Sequence, residues 1–183
     1  WDYGQKSHVK IENSIIVENV ATGTNWHEGG GGLWLRGFNG NSFEIMNCTV
    51  ASNHNAYGGG GFLLWSDDVA VTNSIFWGNT PDQIYRKGGE ADVSYCCIEG
   101  GFEGGISWIY DYDDPQQQFP KVTGTNNVSG DPLLMPNYYR LSTGSSCIGK
   151  GSSLGSPSLD IDGEGRNSPP DISRRLCSSN LTA

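Results

Sequence analysis

Apolar and polar positions alternate with a period of two in short runs broken by Gly and Asn, which predicts short strands separated by tight turns. Four runs align with one another: residues 11–19, 45–53, 71–79 and 93–101. Their equivalent positions 13, 47, 73 and 95 lie 34, 26 and 22 residues apart. Three of the runs carry a pair of Asn six residues apart: Asn13 and Asn19, Asn47 and Asn53, Asn73 and Asn79. Asn tolerates the left-handed backbone and bonds its own backbone in turns. Stacked Asn side chains also bond one another up a column. Between these runs sits a second repeat, in which Gly29–Gly32 followed by Leu33, Trp34 and Leu35 matches Gly58–Gly61 followed by Phe62, Leu63 and Leu64.

A single unit of strand, Asn turn, strand and loop cannot bury its own apolar face. Stacked units can, each strand pairing with its equivalent about 4.8 Å away. The expected fold is therefore all-β: a short parallel β-helix (β-solenoid) with long loop insertions. One domain spans 1–172, in coils of about 9–43, 44–70, 71–92 and 93–172, the last with an insertion at 102–126. Residues 173–183 form a tail. The alternative, an antiparallel β-sandwich, calls for turn signals every ~8–12 residues.

Composition narrows the function classes. Gly numbers 27 of 183 residues, against a helical bundle, and 11 % aromatic residues argue against disorder. No apolar run approaches the ~18 residues of a membrane span. A net charge of −9 repels phosphate backbones, so nucleic acid is not an expected partner. His8, His27 and His54 form no metal pattern, and no Gly-x-Ser-x-Gly elbow occurs. Of the five Cys, Cys48 and Cys96 fall two coils apart at positions equivalent to Ser14 and Ser74. That separation, nearly ~10 Å, exceeds the ~7 Å limit for a disulfide and predicts buried thiols. Cys147 with Cys177 is left as the plausible bridge.

With these repeats, the sequence resembles secreted bacterial right-handed parallel β-helix proteins of the broad pectate-lyase-like superfamily. The Asn and Gly-Gly-apolar units are also similar to repeats of chlamydial polymorphic outer-membrane proteins. The C-terminal part looks like a terminal coil of such proteins in Gly130–Leu134, Tyr139–Leu141, Ser145–Ile148, Asp160–Arg166 and Asp171-Ile172. The resemblance implies an extracellular or cell-surface location. It fixes no activity, since the superfamily includes lyases, hydrolases, epimerases, adhesins and spikes. The sequence departs from it after Ile172, where Ser173-Arg174-Arg175-Leu176 leads into a tail expected to be foreign or frame-altered. The usual N-terminal capping helix is also missing, so an exposed sheet edge near 1–19 would favour self-association.

Candidate chemistry follows from the outward parity of the strands. With Leu33, Leu35, Phe62 and Leu64 inward, Trp34, Arg36, Leu63 and Trp65 point out. Aligning Ile84 with Leu64 adds Gln83 and Tyr85 to this column. Such an aromatic strip suits the C–H faces of sugar rings, with Arg36 fixing hydroxyls. A loop folded over it would instead make it secondary core. Two insertions are expected to wall the strip: 20–28, with Trp26, His27 and Glu28, and 102–126, with Trp108, Tyr110, Asp111, Asp113 and Asp114. Glu28, Asp67, Asp68 and Asp111 are the candidate catalytic carboxyls, because glycoside hydrolysis uses two carboxyl groups about 5–9.5 Å apart. Asp67-Asp68 also reads as a plain turn. Asp111–Asp114 offers oxygen ligands suited to calcium, without the regular spacing, and no other cofactor is expected. Asp160–Gly163 reads as a structural turn.

These features support two function classes. One is an extracellular carbohydrate-active protein binding or cleaving a polysaccharide or cell-surface glycan, as a glycoside hydrolase or lyase. The other is a non-catalytic adhesive or structural module of a surface solenoid.

Overall fold

The computed structural model describes residues 6–23, 29–37, 40–108, 122–136 and 139–173, with backbone alone at 65–67, 89 and 108. The chain forms β1 (His8–Glu12), β2 (Ile15–Val17), β3 (Val20–Ala21), β4 (Leu33–Arg36), β5 (Ser42–Met46), β6 (Thr49–Ala51) and β7 (His54–Asn55). It continues with β8 (Phe62–Thr72), β9 (Ile75–Trp77), β10 (Ile84–Ser94), β11 (Cys97–Ile98), β12 (Ile106–Trp108) and β13 (Val122–Thr123). One helical turn, Gly101–Gly104, precedes β12.

These strands build three sheets whose named strands all pair in parallel. The largest runs β1-β5-β8-β10-β12, with β4 beside β8 and β13 beside β10. The second runs β11-β9-β6-β2, and the third pairs β3 with β7. Each pass of the chain thus lies beside the next in a solenoid-like stack, compatible with a β-helix. The core lies between the two larger sheets and is made of like residues in register. Ile11, Ile45, Val71 and Val93 form one stack, and Ile16, Val50, Phe76 and Ile98 another. Burying each such side chain fully is worth about 1.5–3 kcal/mol.

The turn after the first strand of each pass needs one left-handed residue. Asn13, Asn47, Asn73 and Tyr95 fill it at φ 49°, 53°, 51° and 55°. Asn126 does the same at φ 57°, and Val128 bridges Cys97. Residues 122–129 are therefore a fifth pass, which the sequence alignment had absorbed into an insertion at 102–126. Since β12 and β13 both pair with β10, the excursion narrows to 109–121, outside the described residues.

The second Asn of each pair forms a ladder. Asn19 donates its backbone N–H and its amide to Asn53 Oδ1, at 3.0 and 2.9 Å. Asn53 repeats both bonds to Asn79 Oδ1, each at 3.0 Å. Asn79 donates to Gln83 Oε1, which takes the place of an Asn and passes the column on to the Glu99 carboxylate at 3.0 Å. The spare amide hydrogens of Asn53 and Asn79 go to the carbonyls of Ile16 and Val50, both at 2.9 Å. The Gly runs lie beside this column because successive backbones touch there. A Cβ on Gly32 would stand 2.7 Å from the Gly61 carbonyl oxygen, and one on Gly60 would run into Thr80.

Cys48 and Cys96 sit in the core where Ser14 and Ser74 stand in alternate passes. All four donate to the carbonyl two residues back: Met46, Ser94, Glu12 and Thr72 respectively. The segment 130–173 then lies against the outer face of the second sheet, where Leu141, Cys147 and Ile172 pack on Ile75 and Cys97. It is tied to the turn column by Asn13, whose amide donates to the Leu159 carbonyl at 3.1 Å, and by Asn73, which donates to the Ser152 carbonyl at 2.8 Å.

Two outcomes test this account. Asn53→Ala removes four side-chain hydrogen bonds, two accepted from Asn19 and two donated to the Ile16 carbonyl and Asn79 Oδ1, and should lower unfolding free energy by about 2–3 kcal/mol in urea titrations. Burial pushes the Cys48 thiol from 9.0 up to about 11. Between those values the unfolded thiol loses its proton while the folded one keeps it, so stability falls as pH rises through that window. Cys48→Ser keeps the bond to Met46 by the precedent of Ser14 and Ser74, and should lessen the alkaline loss measured by thermal melts across the window, the remainder coming from Cys96, whose thiol burial pushes up to about 12.

Candidate functional site

Both long strands bend. In β8, Phe62 and Leu64 face the core, but so do Val69 and Val71, so the inward parity flips between them. In β10 it flips between Ile84 and Ala91. Pairing between the two strands slips at the same place, between Arg86 and Gly88 and again between Gly88 and Glu90. An extra residue bends a strand and re-aims the side chains after it.

Beyond the bend, the outward residues form two columns. One runs His8, Ser42, Asp68, Glu90, and the next Lys10, Glu44, Ala70, Asp92, Thr123. Small residues at 42 and 70 leave a depression, an open groove of about 420 Å³ that Asp68, Glu90, Glu44, Asp92, His8 and Thr123 help to line. Asp92 is fixed by Ser94 Oγ at 2.6 Å and Thr123 Oγ1 at 3.0 Å. Glu44 faces His8 Nε2 at 3.6 Å, while the other ring nitrogen of His8 meets Ser42 Oγ at 2.9 Å. Asp68 and Glu90 are exposed neighbours on adjacent strands. Among the described residues, no three His, Cys, Asp or Glu side chains are close enough together to hold a metal ion.

The other half of the same sheet carries the aromatic column, in a register different from the one read in the sequence. Ile84 pairs with Phe62, so Tyr85 stands beside Leu63, in the row Trp34–Leu63–Tyr85–Ser107. Gln83 is not in that column; it extends the Asn ladder. Leu63 and Tyr85 are covered. Tyr57 meets the Tyr85 ring edge-on at 6.3 Å, and a Cβ on Gly58 would stand only 3.2 Å from that ring. Burial first, and Tyr57 second, push the Tyr85 phenol up to about 12. Trp34 remains 38 % exposed, with the Arg36 guanidinium 5.9 Å from its ring.

Of the other site residues expected from sequence, Trp26, His27, Glu28 and Asp111, with Asp113 and Asp114, lie outside the described residues. For Trp65, Asp67 and Trp108 only the backbone is described: Trp65 pairs with Arg36, Trp108 with Arg86, and Asp67 precedes the paired Asp68 within β8. Asp68 is thus a strand residue rather than part of a plain turn. Asp160 holds a tight turn, accepting from the backbone of Asp162 at 2.9 Å and Glu164 at 3.0 Å. Sequence reasoning missed Glu44, Glu90 and Asp92. The aligned repeats began too late: positions three and five residues before each turn residue form the two groove columns.

Behind the groove, Arg86 occupies the inward stack of Leu35 and Leu64, at 0 % exposure. Among the described residues, none of its three guanidinium nitrogens has a hydrogen-bond partner. Burial pushes its pKa down to about 10, opposed by the nearby charges of Glu90 and Asp68.

No family model matches the sequence, and no curated protein or solved structure is significantly similar to it.

A buried charge without hydrogen bonds costs more than an apolar side chain in the same place. Arg86→Leu, which extends the Leu35–Leu64 stack, should raise unfolding free energy at neutral pH by about 1–3 kcal/mol in chemical denaturation.

Proposed function

We propose that the chain is a right-handed parallel β-helix of the pectate-lyase-like kind, acting at the cell surface or outside the cell, and that it binds or cleaves a polysaccharide across the outer face of its largest sheet. The observation that carries this reading is the presence, in one sheet, of an open carboxylate-lined groove and of exposed Trp34 on β4, the strand beside β8. A sugar ring packs its C–H face on Trp34, and Arg36 beside it donates to ring hydroxyls. The next rings run past the bend, where Asp68, Glu90, Glu44 and Asp92 accept hydroxyl hydrogens.

The carboxylates also suit hydrolysis. Asp68 and Glu90 are one strand spacing apart, about 4.8 Å, while Glu44 and Asp92 are separated by two spacings. Carboxyl pairs about 5–5.5 Å apart serve retention and those about 6.5–9.5 Å apart serve inversion. In either case one carboxylic acid protonates the glycosidic oxygen, and the other attacks the anomeric carbon or deprotonates water.

A second reading, a non-catalytic adhesive module, draws on β1. Among the described residues, this strand pairs only with β5 and leaves its other edge open. Self-association through that edge would be concentration-dependent in ultracentrifugation.

The test is binding and reducing-end release over a panel of neutral and acidic polysaccharides. Trp34→Ala should weaken binding at least about tenfold, a loss of about 1.4 kcal/mol. Asp68→Asn and Glu90→Gln should each slow release at least about 100-fold with binding nearly kept. Binding without release supports the adhesive module; no binding to any glycan, or a silent Trp34→Ala, sinks the carbohydrate reading.

A further inference from the structure

Cys96 and Cys97 are neighbours in sequence but face opposite sides of their strand, as alternation requires. Cys96 belongs to the core between the large sheets, whereas Cys97 is on the outer face of the second sheet, under the 130–173 segment. There it shares one buried cluster with Cys147, Ile75, Leu141 and Ile172, and both thiols are fully shielded. The Gly130 carbonyl accepts from Cys97 Sγ at 3.3 Å and from Ser146 Oγ at 2.7 Å, which draws the two cysteine-bearing segments together. The backbone of Cys147 is held as well, by Ile172 N–H to its carbonyl at 2.9 Å and by its own N–H to Ser145 Oγ at 3.1 Å. Ser146 Oγ in turn lies 3.8 Å from Cys147 Sγ. The interaction with Cys97 lowers the pKa of Cys147, with Ser146 and Ser145 assisting against burial, and the same interaction together with burial raises that of Cys97.

We propose that Cys97 and Cys147 are a dithiol–disulfide pair, whose oxidised form fastens the C-terminal segment to the outer face of the second sheet. The oxidant is a small-molecule disulfide of the glutathione type. The Cys147 thiolate attacks one of its sulfurs, forming a mixed disulfide and expelling one small thiolate. Cys97 then gives up its proton and attacks the Cys147 sulfur, expelling the second. Two protein thiols lose two protons and two electrons, and the small disulfide becomes two thiols. Because both sulfurs are shielded once the segment has docked, the exchange takes place before docking or while the segment is lifted.

This pairing replaces the Cys147–Cys177 bridge expected from the sequence; Cys177 lies outside the described residues. The reduced face tolerates an open pair, because Leu141 and Ile172 pack there regardless. Oxidation adds a covalent link between positions 97 and 147, long-range in sequence, and removes loop-closure entropy from the unfolded chain.

The test refolds the full chain in a mixture of oxidised and reduced glutathione, alkylates the remaining thiols and maps the peptides without reduction. The expected product links Cys97 to Cys147, with Cys48 and Cys96 alkylated. The oxidised protein should melt roughly 5–10 °C above the reduced one, and Cys97→Ser and Cys147→Ser should each abolish the difference. A Cys147–Cys177 peptide, complete alkylation of all five cysteines, or an unchanged melting difference in Cys97→Ser overturns the proposal. Because the peptide map is read on the unaltered chain, it decides the matter even if a serine variant fails to fold.

Discussion

Parallel stacking places every residue beside its equivalent in the next pass, so whatever sits at one position must tolerate copies of itself above and below. Apolar residues meet this condition on a sheet face. At a corner the backbone leaves its ladder, and buried N–H and C=O groups lose their partners. The Asn19–Asn53–Asn79 column answers that demand. Asn53 and Asn79 each accept a backbone N–H and a side-chain amide from the Asn before them, and each donates to a carbonyl in the preceding pass. The Gly runs are the complement of the same constraint: they stand where successive backbones are too close for a side chain. The registry of all other stacks follows from these two features.

The groove exists because the stack bends. Coordinated slips in β8 and β10 invert which residues face out, turning Asp68, Ala70, Glu90 and Asp92 to solvent while Val69, Val71, Ala91 and Val93 fill the core. Without the slips, period-two counting from Phe62 would bury Asp68 and expose Val69. Arg86 is the exception beside the bend. It occupies an aliphatic stack, and attraction to Glu90 and Asp68 offsets part of the cost of its burial. The acidic face arises from the irregularity, while Arg86, just before it, keeps the inward parity of Ile84.

The outer face of the second sheet is closed differently. Its stack of Ile15, Thr49, Ile75 and Cys97 carries apolar side chains that the passes themselves cannot cover. The 130–173 segment covers part of it with Leu141, Cys147 and Ile172. Polar ties flank this patch: Thr49 and Ser173 hydroxyls meet at 2.6 Å, and Arg166 reaches Asn13 Oδ1 at 2.7 Å. The left-handed Asn13 and Asn73 thus have a second use, since their side chains bond the covering segment from the turns.

Much of this was legible in the sequence. The Asn pairs, the Gly runs and the alternation of Ser with Cys predicted parallel stacking, a side-chain ladder and buried thiols, because each is a local pattern repeated at every pass. The fifth pass escaped notice because Asn126 keeps the turn's backbone conformation without a second Asn six residues later, where Pro132 stands. Only the tertiary structure decided the register of Ile84 against Phe62, the burial of Arg86 and Tyr85, and the meeting of Cys97 and Cys147 in one buried cluster. The physical reason is the same in each case. A slip of one or two residues between strands conserves the local pattern and changes every cross-strand neighbour, and contacts between positions as distant as 97 and 147 depend on where the chain returns in space.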